Sequence, residues 1–506
     1  MRARLLHRDR DVHIDRALPP AASDLREDLE LDAVLDAMGG GDSFLSDVAL
    51  QVLFEEPRPS AGTIKYRQAI LADVLEAPDV IRAMYAIAVR AVGKEREHWW
   101  GLSSRHPSGV LHGAVGLMKA LLGDLRAFRG LIDEEGGRFR SGGLTRLFAT
   151  LQAELTEDYL EDIEREMERL SFEGELRLTA RLGPGNEGTD YVLQAPGDDR
   201  GSFLGRLLDR GPEGYSFRIH ERDMAGARIL SELRNLGLYD VAIAVGRATG
   251  HVLGFFQALR TELAFYVGCL NLRDALTALD TPICIPRRAP EGSRRLRFQG
   301  LRDPSLALGA GHAVVGSDLD IESARLGIVT GANEGGKSTF LRSLGLAHLM
   351  LGAGIFVAAG SFEAEPCPNL FTHFSREEDA ELERGHFDEE LARLDAIVEE
   401  LGRGDLVLFN ESFGSTNERE GSEIARDVVR ALLESDVRVF FVTHMYAFAR
   451  GCFEDSPRGT VFLRAEREAD GTRTFRIVRG EPLQTSFAED VFEEVFGDGA
   501  SQEAVG

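Results

Sequence analysis

The sequence predicts a mainly α-helical first half that carries a small β insertion, followed by an α/β domain built on a largely parallel sheet. Three observations predict this. Apolar residues recur at three- and four-residue spacing from Phe44 to about Phe172, and again from Arg222 to about Ala278. Between those stretches the period changes to alternation. From Cys284 onward, strand-like apolar runs alternate with helical ones, which is the pattern of a sheet covered by helices.

Taken in order, residues 1–43 are polar, end in Gly39-Gly40-Gly41, and read as a loosely held N-terminal arm. Residues 44–172 read as a helical core or lever. Ile70, Leu71, Val74 and Leu75, then Ile81, Met84, Ile87 and Ala88, mark buried helix faces. Gly136-Gly137 and Gly142-Gly143 set off one long helix over residues 144–170, with Leu147, Leu151, Leu155, Leu160 and Ile163 on its apolar side. Residues 173–221 form the β insertion. Leu176, Leu178 and Ala180 alternate on one face, Gly183-Pro184-Gly185-Asn186 turns the chain, and residues 190–194 and 216–220 supply further strands. Residues 222–295 are returning helices and a connector. The helices read as a pair, with Arg247, Arg260 and Glu262 excluding a membrane span. In residues 296–497, strands are expected at Phe298, 313–315, 326–330, 355–357, 406–409, 437–442, 460–463 and 474–478. Asp470-Gly471 is the turn of a closing hairpin. Residues 498–506 are a tail.

With 506 residues the chain has room for about three domains. Its 43% hydrophobic content excludes wholesale disorder. Asp plus Glu is 84 against 58 for Lys plus Arg, a net charge of −26, which excludes a bulk-basic nucleic-acid coat. Local DNA binding stays open, because affinity follows a basic patch and not the sum. Lysine is confined to Lys65, Lys94, Lys119 and Lys337. Cys269, Cys284, Cys367 and Cys452 form neither a C-x-x-C pair nor a metal-ligand spacing, which argues against zinc and disulfides and suits a cytoplasmic location. Met1 to Arg10 has no apolar run of the secretory kind. Residues 343–362 are nearly charge-free and long enough to raise the membrane question. Four glycines and a histidine within them indicate a buried helix running into a buried strand.

The strongest motif is Gly331-Ala332-Asn333-Glu334-Gly335-Gly336-Lys337-Ser338, which matches G-x-x-x-x-G-K-[ST] between an apolar strand and an apolar helix. Glycines let backbone N–H groups turn inward around phosphate oxygens, and the helix presents its positive end to the anion. Lys337 then supplies a charge to the β- and γ-phosphates, and Ser338 a hydroxyl to Mg²⁺. Four apolar residues, Leu406 to Phe409, deliver Asn410-Glu411 to the carboxyl edge of the sheet, where ligands bind. Asn410 takes the place of the usual Mg²⁺-holding Asp and lacks its charge. Glu411 is the candidate base. His444, after Thr443 at the end of the strand 437–442, is placed to sense a γ-phosphate.

These elements resemble the MutS family of DNA mismatch-repair ATPases, a branch of the ABC-type ATPases. The run from Thr330 through Lys337 and Ser338 to Thr339 is similar to T-G-P-N-M-G-G-K-S-T, with Asn333 a family-specific match. Gly354-Ile355-Phe356-Val357-Ala358-Ala359 is similar to G-x-F-V-P-A, Phe371-Thr372-His373 to F-T-R, and Val442-Thr443-His444 to A-T-H. The resemblance covers about 296–497. Upstream, Thr63 to Gln68 lies in a segment like the core of MutS-related proteins. The resemblance implies a P-loop, ABC-type ATPase domain at the C-terminus behind a lever and a clamp-like insertion. It further implies ATP and Mg²⁺ as cofactors, a homodimer through the ATPase domains, and duplex or junction DNA as partner. In the family each nucleotide site is completed by the opposite subunit's signature segment, and Gly385 and His386 stand at that position.

The departures shape the functional expectation. The family's mismatch-reading domain precedes the core and inserts a Phe beside a Glu, and the arm is too short to hold it. Ser361-Phe362-Glu363 lies inside the ATPase region and is no reader. The signature shows Gly385-His386 where Ser-Thr is usual, the loop from Ser412 to Glu418 is not G-R-G-T-S-T, and the extended C-terminal dimerisation tail is missing. The expectation is an ATP-binding, slowly hydrolysing ATPase acting at DNA without mismatch reading. Arg177, Arg181 and Arg206 in the β insertion are the candidate phosphate contacts. The alternative is a nucleotide-gated protein scaffold with no DNA contact, which the net charge and Asn410 favour. A transporter ATPase is disfavoured, because no L-S-G-G-Q is present.

Overall fold

The computed structural model describes residues 1–482, apart from residues 13, 15, 57, 103–105, 172–177, 187, 194–222, 332–334, 377–385, 415, 456 and 469–471. The chain divides into two compact units, one of Met1–Arg4 with Ala77–Leu263 and the other of Leu5–Glu76 with Ala264–Gly506.

The chain begins with four helices, α1 (Ala22–Asp28), α2 (Leu31–Gly39), α3 (Ser43–Leu53) and α4 (Ala61–Glu76). This corrects the reading of residues 1–43 as a loose arm. Leu25, Leu29, Leu31, Val34, Leu35 and Met38 are all buried. Helix α1 packs against the strand Leu370–Phe374, and α2 against the short helix Pro304–Ala310. The apolar stripe of α2 was masked in the sequence by the acids on its outer face. A helical core running from 44 to 172 is corrected as well, because the compact units change over between Glu76 and Ala77.

The first unit holds α5 (Pro78–Leu102), α6 (Pro107–Glu135), α7 (Gly142–Glu154) and α8 (Glu157–Leu170). The single helix expected over 144–170 is therefore two. Thr156 breaks it, its hydroxyl accepting from Tyr159 N–H at 3.3 Å, with Glu157 and Asp158 in the new first turn. Strands β1 (Leu178–Leu182) and β2 (Gly188–Leu193) pair antiparallel. The strand expected at 216–220 lies outside the described residues. Helix α9 (Met224–Ala278) is one continuous helix of 55 residues and not a pair. Isolated glycines are tolerated inside a helix, whereas proline is not, and no proline occurs between Met224 and Ala278.

The second unit continues with β3 (Arg287–Arg288), β4 (Leu296–Leu301), α10 (Pro304–Ala310), β5 (Ser317–Ile321), β6 (Leu326–Thr330), α11 (Lys337–Ala353), β7 (Ser361–Ala364) and β8 (Leu370–Phe374). It ends with α12 (His386–Glu400), β9 (Leu406–Asn410), α13 (Glu418–Glu434), β10 (Arg438–Val442), α14 (Tyr446–Asp455), β11 (Thr460–Arg467) and β12 (Arg473–Arg479). The main sheet has the order β12-β11-β6-β10-β9-β8, parallel except for the β11–β12 hairpin. The turn of that hairpin at Asp470-Gly471 lies outside the described residues. A smaller sheet has the order β3-β7-β4-β5. Two expected strands are corrected. Residues 313–315 are irregular, and residues 355–357 make only a bridge between Val357 and Cys284, pairing passing to β7 instead. Among the described residues no helix is long and apolar enough to cross a membrane.

Arg67 of α4 is fully buried. Its Nη2 meets Glu55 Oε2 at 2.5 Å, its Nε donates to the Leu6 carbonyl at 2.9 Å, and its Nη1 reaches the Ala353 carbonyl at 3.4 Å. His7 Nε2 lies 2.5 Å from Glu55 Oε1. Burial pushes the Glu55 pKa up, but the His7 hydrogen bond and the Arg67 charge outweigh it and hold the pKa at about 2. A carboxyl lowered in this way contributes stability above its ordinary value of 4.5, and that contribution is lost as the pH falls toward 2. Arg67→Ala is expected to cost about 3 kcal/mol, because it removes one charged partner of a buried carboxylate and the donor to the Leu6 carbonyl. In denaturant titrations between pH 5 and about 2, Glu55→Gln should flatten the pH dependence by about 3 kcal/mol. An unchanged slope would contradict this account.

Candidate functional site

Backbone register brings three loops together. Val442 of β10 pairs with Val329 of β6 on one side and with Asn410 of β9 on the other. The residues that follow, Gly331, Glu411 and His444, therefore emerge side by side from the carboxyl edge of the sheet. Beneath them lies an aromatic core, with Phe409 stacked on Phe441 at 5.0 Å and Phe441 packed on Phe448 at 4.9 Å.

The loop from Gly331 to Lys337 needs glycine at both ends. Gly331 has φ +124°, and a Cβ there would stand 2.9 Å from the Ala465 Cβ. Gly336 has φ +85°, and a Cβ would meet the Phe475 carbonyl oxygen at 3.0 Å. Gly335 is buried. Ala332, Asn333 and Glu334 lie outside the described residues.

Lys337 opens α11 with only 5% of its side chain exposed. Its Nζ donates to the Gly331 carbonyl at 2.8 Å and stands 3.5 Å from Glu411 Oε1. Burial pulls the ammonium pKa down, and Glu411 partly restores it. The Ser338 hydroxyl donates to Asn410 Oδ1 at 2.9 Å. Thr339 follows, half-buried, in the first turn of α11.

Glu411 adopts a left-handed backbone, φ +55°, with a quarter of its side chain exposed. Its Oε2 accepts from the His444 backbone N–H at 2.9 Å and from Nδ1 at 2.6 Å. A carboxylate can only accept, so Nδ1 carries the proton. Burial pushes the Glu411 pKa up, but the His444 hydrogen bond and the Lys337 charge outweigh it, and the net shift is downward. The same hydrogen bond raises the His444 pKa against its own burial.

Three residues at the site carried no functional assignment in the sequence: His373, Ser412 and Glu390. His373 is fully buried at the end of β8, with Nε2 3.0 Å from the Glu390 carbonyl and Nδ1 2.8 Å from Ser412 Oγ. Glu390 Oε1 accepts from Phe413 N–H at 2.6 Å. The one available signal was a histidine inside an otherwise uncharged strand, Leu370–Phe374.

Of the other sequence-predicted residues, His386 begins α12, while Gly385 lies outside the described residues. Arg181 is exposed on β1 in the first unit, and Arg177 and Arg206 lie outside the described residues. Among the described residues no group of three or more His, Cys, Asp or Glu is arranged to hold a metal. The site instead offers neutral oxygen donors, Ser338 and Asn410, beside a buried ammonium at a helix amino end. That donor set suits a polyanion accompanied by a hard, oxygen-seeking cation.

The chain matches the family of MutS2 N-terminal domains over residues 60–279 and that of MutS domain V over residues 327–490. It is 30% identical over 250 residues to a DNA mismatch repair protein MutS of Erythrobacter litoralis, covering 46% of this chain and 28% of that protein. It is 26% identical over 284 residues to DNA mismatch repair protein spellchecker 1 of Drosophila melanogaster, covering 55% and 30%. It is 31% identical over 283 residues to an Endonuclease MutS2 of Solidesulfovibrio magneticus, covering 54% and 36%. The chain thus matches about a third of the length of these relatives.

In an NMR titration the His444 imidazole should show a midpoint above its ordinary 6.5, and Glu411→Gln should bring it down. The stabilisation from this pair is present below pH 6.5 and fades as the pH rises through the folded-state midpoint. A midpoint that Glu411→Gln leaves in place would contradict the pairing.

Proposed function

The chain belongs to the MutS family, and from that premise we propose that it binds ATP with Mg²⁺ at the Gly331–Ser338 loop, hydrolyses it slowly, and acts at DNA in repair or recombination. The observation that carries the reading is the Lys337–Glu411–His444 cluster at the end of three neighbouring strands. The MutS domain V match covers the whole of that cluster.

Bound Mg²⁺-ATP supplies a terminal phosphoryl group open to in-line attack by water. Lys337 exchanges its bond to the Gly331 carbonyl for phosphate oxygens and neutralises charge there. Ser338 and Asn410 offer their side-chain oxygens to the cation. Gly331 and Gly336 leave room for a close approach of phosphate, and the nucleotide-binding run is read from the sequence as including Ala332, Asn333, Glu334, Gly335 and Thr339. Glu411 orients the attacking water and accepts its proton. His444 fixes the carboxylate through two hydrogen bonds and would act as the sensor of a terminal phosphate. Asn410 brings no charge to the cation, which suits slow turnover. ATP-dependent pairing of two chains would place Gly385 and His386 of one against the nucleotide of the other.

A second reading, a nucleotide-gated protein scaffold without DNA contact, is favoured by the net charge of −26. Arg177, Arg181 and Arg206 are the proposed phosphate contacts that separate the two.

Lys337→Ala should weaken ATP binding by about a hundredfold or more with the fold intact by circular dichroism. Glu411→Gln should keep ATP and lose about a hundredfold or more in turnover, because Gln matches its size but accepts no proton. Unchanged nucleotide affinity in Lys337→Ala would end the phosphate-loop reading.

Duplex binding should fall steeply with salt and be alike for matched and mismatched DNA, since phosphate contacts carry no sequence information. Changing Arg177, Arg181 and Arg206 to Glu should flatten the salt slope. A mismatch preference of about tenfold, or about 1.4 kcal/mol, would demand a base-reading element. No binding to any DNA at low salt would favour the scaffold.

A further inference from the structure

The turn after β9 is strained. Glu411 and Phe413, two residues apart, have φ of +55° and +64°. A left-handed backbone costs a non-glycine residue about 1–3 kcal/mol and persists only where its surroundings over-determine it. For a buried Phe it is a true outlier.

The surroundings do over-determine it. The Phe413 ring is fully buried and lies over His373 at 5.8 Å and 26°. Its N–H donates to Glu390 Oε1 at 2.6 Å, and Glu390 is itself only 5% exposed. Ser412 Oγ lies 2.6 Å from the His373 carbonyl and 2.8 Å from His373 Nδ1. Burial lowers the His373 pKa, and Nε2–H donates to the Glu390 carbonyl at 3.0 Å. On the far side the Phe413 carbonyl oxygen sits 2.4 Å from where a Cβ on Gly421 would be, so only glycine lets α13 approach. Ser412 is thus gripped from β8, and Phe413 from β8, α12 and α13, while the Glu411 N–H donates to the Val442 carbonyl at 2.9 Å.

We propose that Glu390 and His373 are positioning residues, which hold the turn after β9 in its left-handed backbone and so aim the Glu411 carboxylate at His444 and Lys337. The inference rests on the reading of Glu411 as the group that acts on water. Glu390 stands one turn into α12, four residues after His386, so a shift of the amino end of α12 reaches Glu411 through a single side chain. Both act through the turn.

The test compares Glu390→Ala, Glu390→Asp and Glu390→Gln with the parent chain. Gln keeps an acceptor at the Oε1 position, Asp withdraws it by one methylene, and Ala removes it. The readouts are the Kd for a fluorescent ATP analogue, kcat for ATP, and a crystal structure of each variant without nucleotide. Ala and Asp should lose about tenfold or more in kcat with Kd unchanged, and their structures should show Glu411 Oε2 off His444 Nδ1. Gln should match the parent in all three. If Ala does not fold, Asp carries the comparison. Parental kcat in the Asp variant, or Glu411 still bonded to His444 in its structure, would overturn the proposal. A parent that neither binds nor hydrolyses ATP would overturn the ATPase reading instead, and the crystallographic comparison would still decide the positioning role.

Discussion

The site depends on one row of backbone pairing. Val329, Val442 and Asn410 lie level across three parallel strands, which fixes where the glycine loop, Glu411 and His444 leave the sheet. A one-residue slip in any of these strands would turn its side chains to the other face and separate the groups. The row is held by close packing. Gly327 of β6 has no room for a side chain, because a Cβ would stand 2.3 Å from the Phe440 ring on the neighbouring strand. The aromatic stack of Phe409, Phe441 and Phe448 fills the other face. The geometry of the site is a consequence of register, and register is a consequence of what fits between β6 and β10.

Electrostatics complete the arrangement. Lys337 is an almost fully buried cation at the positive end of a 17-residue helix, an unfavourable place for a cation. Glu411 offsets part of that cost from 3.5 Å, and the Gly331 carbonyl accepts one of the ammonium's protons. His444 in turn holds Glu411 ionised. Each group is therefore tied to the next, and an arriving polyanion would meet a cation that gains by exchanging a neutral carbonyl for phosphate.

The parts of the site that were legible in the sequence are those whose chemistry is written within ten residues. Gly331, Gly336, Lys337 and Ser338 form one local pattern, and Asn410-Glu411 and Thr443-His444 each end an apolar strand. The support for Glu411 was not legible, because Glu390 and His373 reach Phe413 and Ser412 across 23 and 39 residues. A charged residue on a helix and a histidine in a strand give no local sign of such contacts. The same limit applied to the fold. Helix α2 carries a buried stripe of Leu31, Val34, Leu35 and Met38, yet its acids and the Gly39-Gly40-Gly41 run dominated the reading. Thr156 ended a helix because its hydroxyl caps the next one, a competition that apolar periodicity does not register. Helix α9 continued through its glycines because none was joined by a proline.

The amino-terminal segment belongs with the α/β domain for a physical reason. Helix α11 begins at the site with Lys337 and ends at Ala353, about 25 Å away along its axis. Its last carbonyls carry the negative end of the helix dipole. Arg67 stands there, its Nη1 directed at the Ala353 carbonyl, and Gly354 must be glycine because a Cβ would come within 2.9 Å of the Arg67 Cβ. The same guanidinium binds the Leu6 carbonyl and Glu55. One buried cation therefore joins residues 5–76 to the helix that carries Lys337. Helix α11 is held at both ends, by Arg67 at one and by the site at the other. A rigid helix so anchored keeps its amino end in register with β9 and β10, and residues 5–76 cannot be a dispensable arm on a domain that starts near residue 296.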